Sequence, residues 1–253
     1  MLKSPENFHL YENKLYKLFN RLSLGKLDEF SEKRKLVKHF PKYPVQEFNI
    51  DWTGKKFNRI ALMSELTRRI SLSREVIYLE IGCAGDKLFQ SVNVKKKTGV
   101  DPFSGGTHRM TSDDYFAESN DIVNLVFVDG LHEYQQVWRD VQNALSRLEV
   151  GGYIALHDML PRNWVEANVP CIKQGPWTGD VWKIAFDLMA TDGINFNILN
   201  IDFGVGVVCK LQDRVQLAKN SKLDHVDFLW YSNNRKNLPI IEYEEFLEFS
   251  QTD

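Results

Sequence analysis

Apolar positions along the chain follow two rhythms. Four short runs, at residues 76–81, 98–100, 122–128 and 153–156, are apolar almost throughout and rich in β-branched residues. Runs of that kind are strands covered on both faces of a parallel sheet. Between them the apolar residues recur at helical spacing. Leu88, Phe89 and Val92 form one face within 87–97, and Val137, Val141, Ala144, Leu145 and Leu148 form another within 134–148, where Gly151-Gly152 is read as the stop. Two alternating stretches, 196–201 and 205–209, flank the turn Asp202-Phe203-Gly204 and predict an antiparallel hairpin. The pattern is that of an α/β chain: a doubly wound, mostly parallel sheet with helices on both faces and an antiparallel end.

Outside this core the signals are sparser. Leu15, Leu18, Phe19 and Leu22 predict a helix over 10–22, and residues 40–52, rich in proline and aromatics, predict an extended arm. A helix over 57–70 can turn Phe57, Ile60, Ala61, Met63 and Ile70 inward. Residues 161–182 form a long loop with three tryptophans, leading into a helix over 181–189 capped by Thr178. The division expected is an arm at 1–56, a main domain at 57–211, and a charged extension at 212–253 packed on the domain as a contributor to a homodimer.

Composition narrows the classes. The chain has 253 residues and a formal net charge of −2, so no global field favours nucleic acid. Its three cysteines, Cys83, Cys171 and Cys209, are far apart and show neither zinc spacing nor a disulfide framework. A reducing, cytoplasmic setting is expected. The first residues are too polar for a signal peptide, and no apolar run is long enough to span a bilayer.

The chemistry concentrates at predicted strand ends. Glu80 interrupts the first strand just before Gly82-Cys83-Ala84-Gly85, a turn that lets the backbone approach a ligand closely. Asp101, nineteen residues after Gly82, ends the second strand, where an acid commonly holds ribose hydroxyls. A dinucleotide site would need G-x-G-x-x-G, and the chain has G-C-A-G-D-K. An acid, one residue and a glycine turn is instead similar to the first motif of class I S-adenosylmethionine-dependent methyltransferases. Ser112 and Asp113 are candidates for the adenine side, with helix capping as the plainer alternative. The third strand ends in Asp129, followed by Gly130 and His132, and the fourth in His157-Asp158. Single strand-end acids often cap helices; four strand ends carrying polar groups together fit a site.

The stretches F-V-D-G-L-H-E-Y-Q-Q-V-W-R-D-V and L-E-V-G-G-Y-I-A-L-H-D resemble the small-molecule O-methyltransferase family that includes macrocin O-methyltransferases and bacterial glycan-cluster enzymes. T-H-R-M-T-S-D-D-Y-F, W-T-G-D-V-W-K and F-G-V-G-V-V resemble a bacterial subgroup of it. The resemblance implies a Rossmann-like, seven-stranded sheet, S-adenosylmethionine as donor, and a sugar or sugar-nucleotide hydroxyl as acceptor. It implies a donor site at Glu80, Gly82, Cys83, Ala84, Gly85, Asp101, Ser112, Asp113 and Asp129. It implies a divalent ion, Mg²⁺ or Mn²⁺, at Asp129, His157 and Asp158, although His157 stands where the family has an acid; the alternative is a metal-free site in which Asp129 orients a histidine base by a hydrogen bond. The family's carboxylate base is replaced by Leu131, which leaves His132, beside Asp129, as the catalytic base. Acceptor contacts fall to His132, Trp177, Asp180 and Trp182, with packing of Trp177 and Trp182 under the 181–189 helix as the equal alternative. The competing readings are a dinucleotide-dependent sugar oxidoreductase or epimerase, and a non-catalytic nucleoside-binding protein.

Overall fold

The computed structural model describes residues 26–248, so the helix expected over 10–22 lies outside the described residues. The strands are β1 (Ile77–Ile81), β2 (Lys96–Val100), β3 (Val123–Val128), β4 (Leu148–Leu156), β5 (Ile194–Leu199), β6 (Val205–Lys210) and β7 (Ile240–Ile241). They form one sheet in the order β2-β1-β3-β4-β6-β5-β7. Every neighbouring pair is parallel except the two made by β6, which runs antiparallel to β4 on one side and β5 on the other. The helices are α1 (Lys26–His39), α2 (Arg59–Ser71), α3 (Lys87–Ser91), α4 (Ser112–Glu118), α5 (Tyr134–Arg147), α6 (Ile184–Met189), α7 (Phe228–Asn234) and α8 (Tyr243–Glu248).

The uninterrupted apolar character of the strands has a direct cause. Alternate residues point to opposite faces, and both faces are covered. Leu79, Ile81, Val126, Val128, Ile154 and Leu156 pack with Val137, Val141, Ala144 and Leu145 of α5. Tyr78, Leu125, Phe127 and Ala155 pack on the other face with Leu62, Met63, Leu66 and Ile70 of α2. All six residues of β3, in the middle of the sheet, are buried.

Three expectations are corrected here. Gly151-Gly152 does not stop the crossover helix: α5 ends at Arg147, and both glycines lie inside β4. The helix ends where Leu148 turns to extended backbone, and Lys210 of β6 caps that end, its Nζ donating to the carbonyls of Leu145 (2.8 Å) and Leu148 (2.6 Å). Gly152 is needed where β3 and β4 slip register, because a Cβ there would lie 2.8 Å from the Asn124 carbonyl oxygen. Thr178 does not cap the next helix; its hydroxyl donates to the Glu166 carbonyl, and a 3₁₀ turn at Val181–Lys183 leads into α6 after Asp180. Residues 212–253 are more than a peripheral addition. They supply β7, the seventh strand, and buried Leu217, Leu223, Tyr231 and Tyr243. The arm at 40–58 has no regular structure and is strapped on by Phe48, whose N–H donates to the Arg162 carbonyl and whose ring meets Phe228 and Tyr231.

Candidate active site

The first turn leaves β1 through Gly82 at φ +85°, followed by Ala84 and Asp86 also at positive φ. A Cβ on Gly82 would overlap the Asp129 carbonyl, so the two strand ends touch through backbone. A Cβ on Gly85 would meet nothing within 4 Å, which leaves the outer side of the turn open. Asp101 ties this turn to the end of β2. Its Oδ2 accepts from Ala84 N–H (2.9 Å), and its Oδ1 from Phe103 (2.7 Å) and Ser104 (2.8 Å). Burial alone would raise its carboxyl; these N–H donors hold it below the usual range, so it stays an anion. Cys83 is buried beneath the turn, and burial pushes its thiol up to about 12.

Glu80 is 1 % exposed and accepts a short hydrogen bond from Tyr78, two residues earlier on the same face. Burial pushes its carboxyl up to about 7, against the pull of that hydrogen bond. Ser112 and Asp113 open α4, where Thr111 is the cap. The Ser112 hydroxyl donates to Asp140 (2.6 Å), and Asp113 accepts from Arg139 (3.2 Å), so both are tied to α5.

The denser cluster lies beyond β3 and β4. His132 directs Nδ1 at the Trp177 carbonyl (2.7 Å) and Nε2 at Asp129 Oδ1 (3.3 Å). A carbonyl only accepts, so this bond puts the ring proton on Nδ1 and leaves Nε2 with the basic lone pair. The Trp177 ring stacks on the imidazole at 5.2 Å. Burial would lower the His132 pKa, but the Asp129 hydrogen bond and the Asp158 charge raise it overall. Asp158 stands at φ +64° and puts Oδ2 3.1 Å from His132 Nδ1. Residues held in such conformations concentrate at functional sites.

Two further residues belong here that the sequence reading passed over. Arg59, the first residue of α2, bonds Asp129 Oδ2 through Nη1 (2.6 Å) and Asp202 Oδ2 through Nε (2.7 Å). Asp202 and Phe203 occupy the β5–β6 turn at φ +43° and +62°, an unusual pair of positive values for non-glycine residues. The turn thereby brings Asp202 to Arg59 and packs the Phe203 ring against His157 at 6.2 Å. The only local signal was an Asp-Phe-Gly turn, and nothing in it announces a partner 143 residues away. Burial would raise the carboxyls of Asp129 and Asp202, but both are held well below the usual range: Asp129 by His157, His132 and Arg59, Asp202 by His157 and Arg59.

His157 is fully enclosed by this cluster. Its Nδ1 is 3.0 Å from Asp158 Oδ1 and 3.2 Å from Asp129 Oδ1, yet at angles that give neither ring nitrogen a hydrogen bond. Burial would lower its pKa; the flanking Asp158 and Asp129 carboxylates raise it well above the ordinary value. Among the described residues, the group whose ligand atoms all lie within 4.8 Å of one another is Asp129, His132 and Asp158. His132 thus takes the place in this group that the sequence reading gave to His157. Of the expected acceptor residues, His132 and Trp177 meet at this centre. For Trp182 the packing alternative holds: it is core, stacked on Trp230 at 5.9 Å, while Asp180 accepts from Tyr134 N–H (2.6 Å).

Residues 79–159 match a family model described as a methyltransferase domain. The match spans about a third of the chain and takes in the glycine turn, Asp101, Asp129 and His157-Asp158. The sheet is Rossmann-like, and β1 to β4 with their crossovers carry the stretch that matches. No curated protein matches the chain. Several solved structures are similar. One is an rRNA methylase from Streptococcus thermophilus, at 14% identity over 63% of this chain and 100% of that one, with a TM-score of 0.45. Another is an O-methyltransferase from Bacillus cereus in complex with SAH, at 12% identity, 72% and 90% coverage and a TM-score of 0.43. A third is an SAH-bound methyltransferase from Podospora anserina, at 15% identity, 76% and 97% coverage and a TM-score of 0.42. No helix among the described residues is long and apolar enough to cross a membrane.

Proposed function

We propose that this protein is an S-adenosylmethionine-dependent methyltransferase that acts on a hydroxyl oxygen of a small molecule, a sugar or sugar-nucleotide being the acceptor class. The observation that carries the reading is one juxtaposition. An open glycine turn tied to an anionic Asp101 abuts, through Gly82, the strand end where Asp129, His132 and Asp158 converge. The turn, Glu80 and Asp101 would hold the donor, with Asp101 receiving ribose hydroxyls; Ser112 and Asp113 stand on its adenine side. S-adenosylmethionine supplies an electrophilic methyl group when bound.

The residues of this chain do the rest. Trp177 fixes the His132 tautomer through its carbonyl and the ring plane by stacking. Nε2 then takes the proton of the acceptor hydroxyl, and Asp129, 3.3 Å away, stabilises the imidazolium that results. Positioning of the oxygen in line with the methyl supplies much of the remaining rate.

A second reading is favoured by the enclosed, unbonded nitrogens of His157 and by the convergence of Asp129, His132 and Asp158. That donor set fits Mg²⁺ or Mn²⁺, with the imidazole favouring the latter. A bound divalent ion would polarise the hydroxyl and lower its pKa. His132 has one basic nitrogen, so it serves either as base or as ligand. Calorimetric titration with S-adenosylhomocysteine, followed by transfer of labelled methyl across a sugar and sugar-nucleotide panel with and without chelator, tests both. No binding of S-adenosylhomocysteine defeats the proposal, and full activity in chelator defeats the metal reading.

A further inference from the structure

Beside the reacting centre is a cavity of about 190 Å³. Its walls come from the arm, the 161–180 loop, the turn at Val181–Lys183 and the C-terminal extension, and none of them from residues 79–159. The part of the chain that matches a methyltransferase domain therefore does not build it. The cavity shares a wall with the site. Asp180 lines it and donates its N–H to the His132 carbonyl (3.3 Å). Asn168 lines it too, and its carbonyl accepts from Nε1 of Trp177, the ring stacked on His132 (2.7 Å).

The lining has a definite chemistry. Trp164, half-buried, gives aromatic surface, and Trp182, stacked on Trp230, backs the wall from the core. Lys183, also buried, directs one bond at Asp180 (2.9 Å), and an ammonium has three donors. Asp180 and Asp227 outnumber Lys183 among the charged lining groups, which disfavours an anion. The volume is below the roughly 300–1,000 Å³ of sites for drug-sized ligands and suits a single ring.

We propose that this cavity is an anchoring subsite for an uncharged, polyhydroxylated ring, a sugar unit of the acceptor other than the one carrying the reacting hydroxyl. The assignment to an acceptor rests on the methyl-transfer reading; the ligand class rests on the lining. An apolar C–H face of the ring meets the Trp164 indole, its oxygens accept from Lys183 Nζ, and its hydroxyls donate to Asp180 and Asn168.

The test is saturation-transfer NMR with the methyl glycosides of glucose, galactose and mannose, on the wild type, Trp164→Ala at the half-buried rim, and Lys183→Gln. S-adenosylhomocysteine is titrated alongside as a check on the donor site. At least one glycoside is expected to bind, roughly tenfold more weakly in each variant, as loss of one good contact predicts. S-adenosylhomocysteine affinity should be unchanged in both. Absence of glycoside binding to the wild type, equal binding by both variants, or displacement of the glycoside by equimolar inorganic phosphate overturns the inference. Glycoside binding without S-adenosylhomocysteine binding upholds the subsite and overturns the methyl-transfer reading.

Discussion

Arg59→Leu isolates the contribution of the residue that joins α2 to the strand ends. It removes the ion pairs to Asp129 (2.6 Å) and Asp202 (2.7 Å) while keeping an apolar side chain at the start of the helix. The side chains involved are 26%, 18% and 20% exposed, so the pairs lie between the surface and buried limits. Exposed pairs contribute about 0.2–1 kcal/mol, and breaking a fully buried pair costs about 3–5 kcal/mol. A loss of roughly 2–3 kcal/mol near neutral pH is expected by interpolation between these limits. The loss should depend on pH in one direction. Below the His132 and His157 pKa values, both raised by Asp129 and Asp158, two imidazolium ions still offset the three carboxylates Asp129, Asp158 and Asp202. Above them the variant keeps three carboxylates and no compensating cation. Urea denaturation over a pH series reads this, with the deficit expected to grow as pH rises. A deficit under about 0.5 kcal/mol, the ordinary range for surface substitutions, or one that shrinks as pH rises, would refute the reasoning.

Three more outcomes follow from the same geometry. Gly82→Ala forces a side chain to a φ of +85° and into the Asp129 carbonyl, and should lower stability by about 2–4 kcal/mol, measured by thermal melting; an unchanged melt would mean the two strand ends are not in contact. Asp101→Ala should weaken S-adenosylhomocysteine by roughly 1.5–3 kcal/mol in calorimetry, the value of a hydrogen bond to a charged group, and unchanged affinity removes Asp101 from the donor site. His132→Ala should slow methyl transfer ~10²–10⁴-fold. The wild-type rate should rise with pH through the raised His132 pKa, because the base must be neutral, while any stability drawn from its charge is lost over that same rise. A variant rate within a few-fold of the wild type sinks the base.

The sheet was legible because burial on both faces writes itself into β3, broken only by Asn124, and into residues 153–156 of β4 as apolar runs. Acids at strand ends were legible for a different reason: Asp101, Asp129 and Asp158 are charges that break apolar runs, and Asp101 and Asp158 do so while still buried. What escaped was of two kinds. Arg59 and Asp202 act through partners 70 and 143 residues away, and a lone arginine at a helix start reads as surface. Likewise, His132 and His157 flank the same acids, and only the ring orientations, set by the Trp177 carbonyl and by enclosure, separate their roles. The short β7 had too few residues to carry a period, so the extension was expected to pack on the domain, and it also completes the sheet. Trp177 and Trp182 looked equivalent in the loop; one lies on the imidazole and the other in the core.

The placement of β6 also constrains the order in which this molecule can form. It lies between β4 and β5 and runs against both, so β5 cannot dock until β6 has been made and inserted. The turn before it delivers Asp202, and its last residue, Lys210, closes the end of α5. A nascent chain ending before residue 205 would therefore hold the donor turn, Asp101 and the Asp129–His132 pair, with the sheet still open at β4. Closure depends on contacts of long sequence separation, the slow kind in folding. Pulse-labelled hydrogen exchange during refolding should protect β1 and β3 before β5, and the reacting centre should be the last part of the molecule to acquire its geometry.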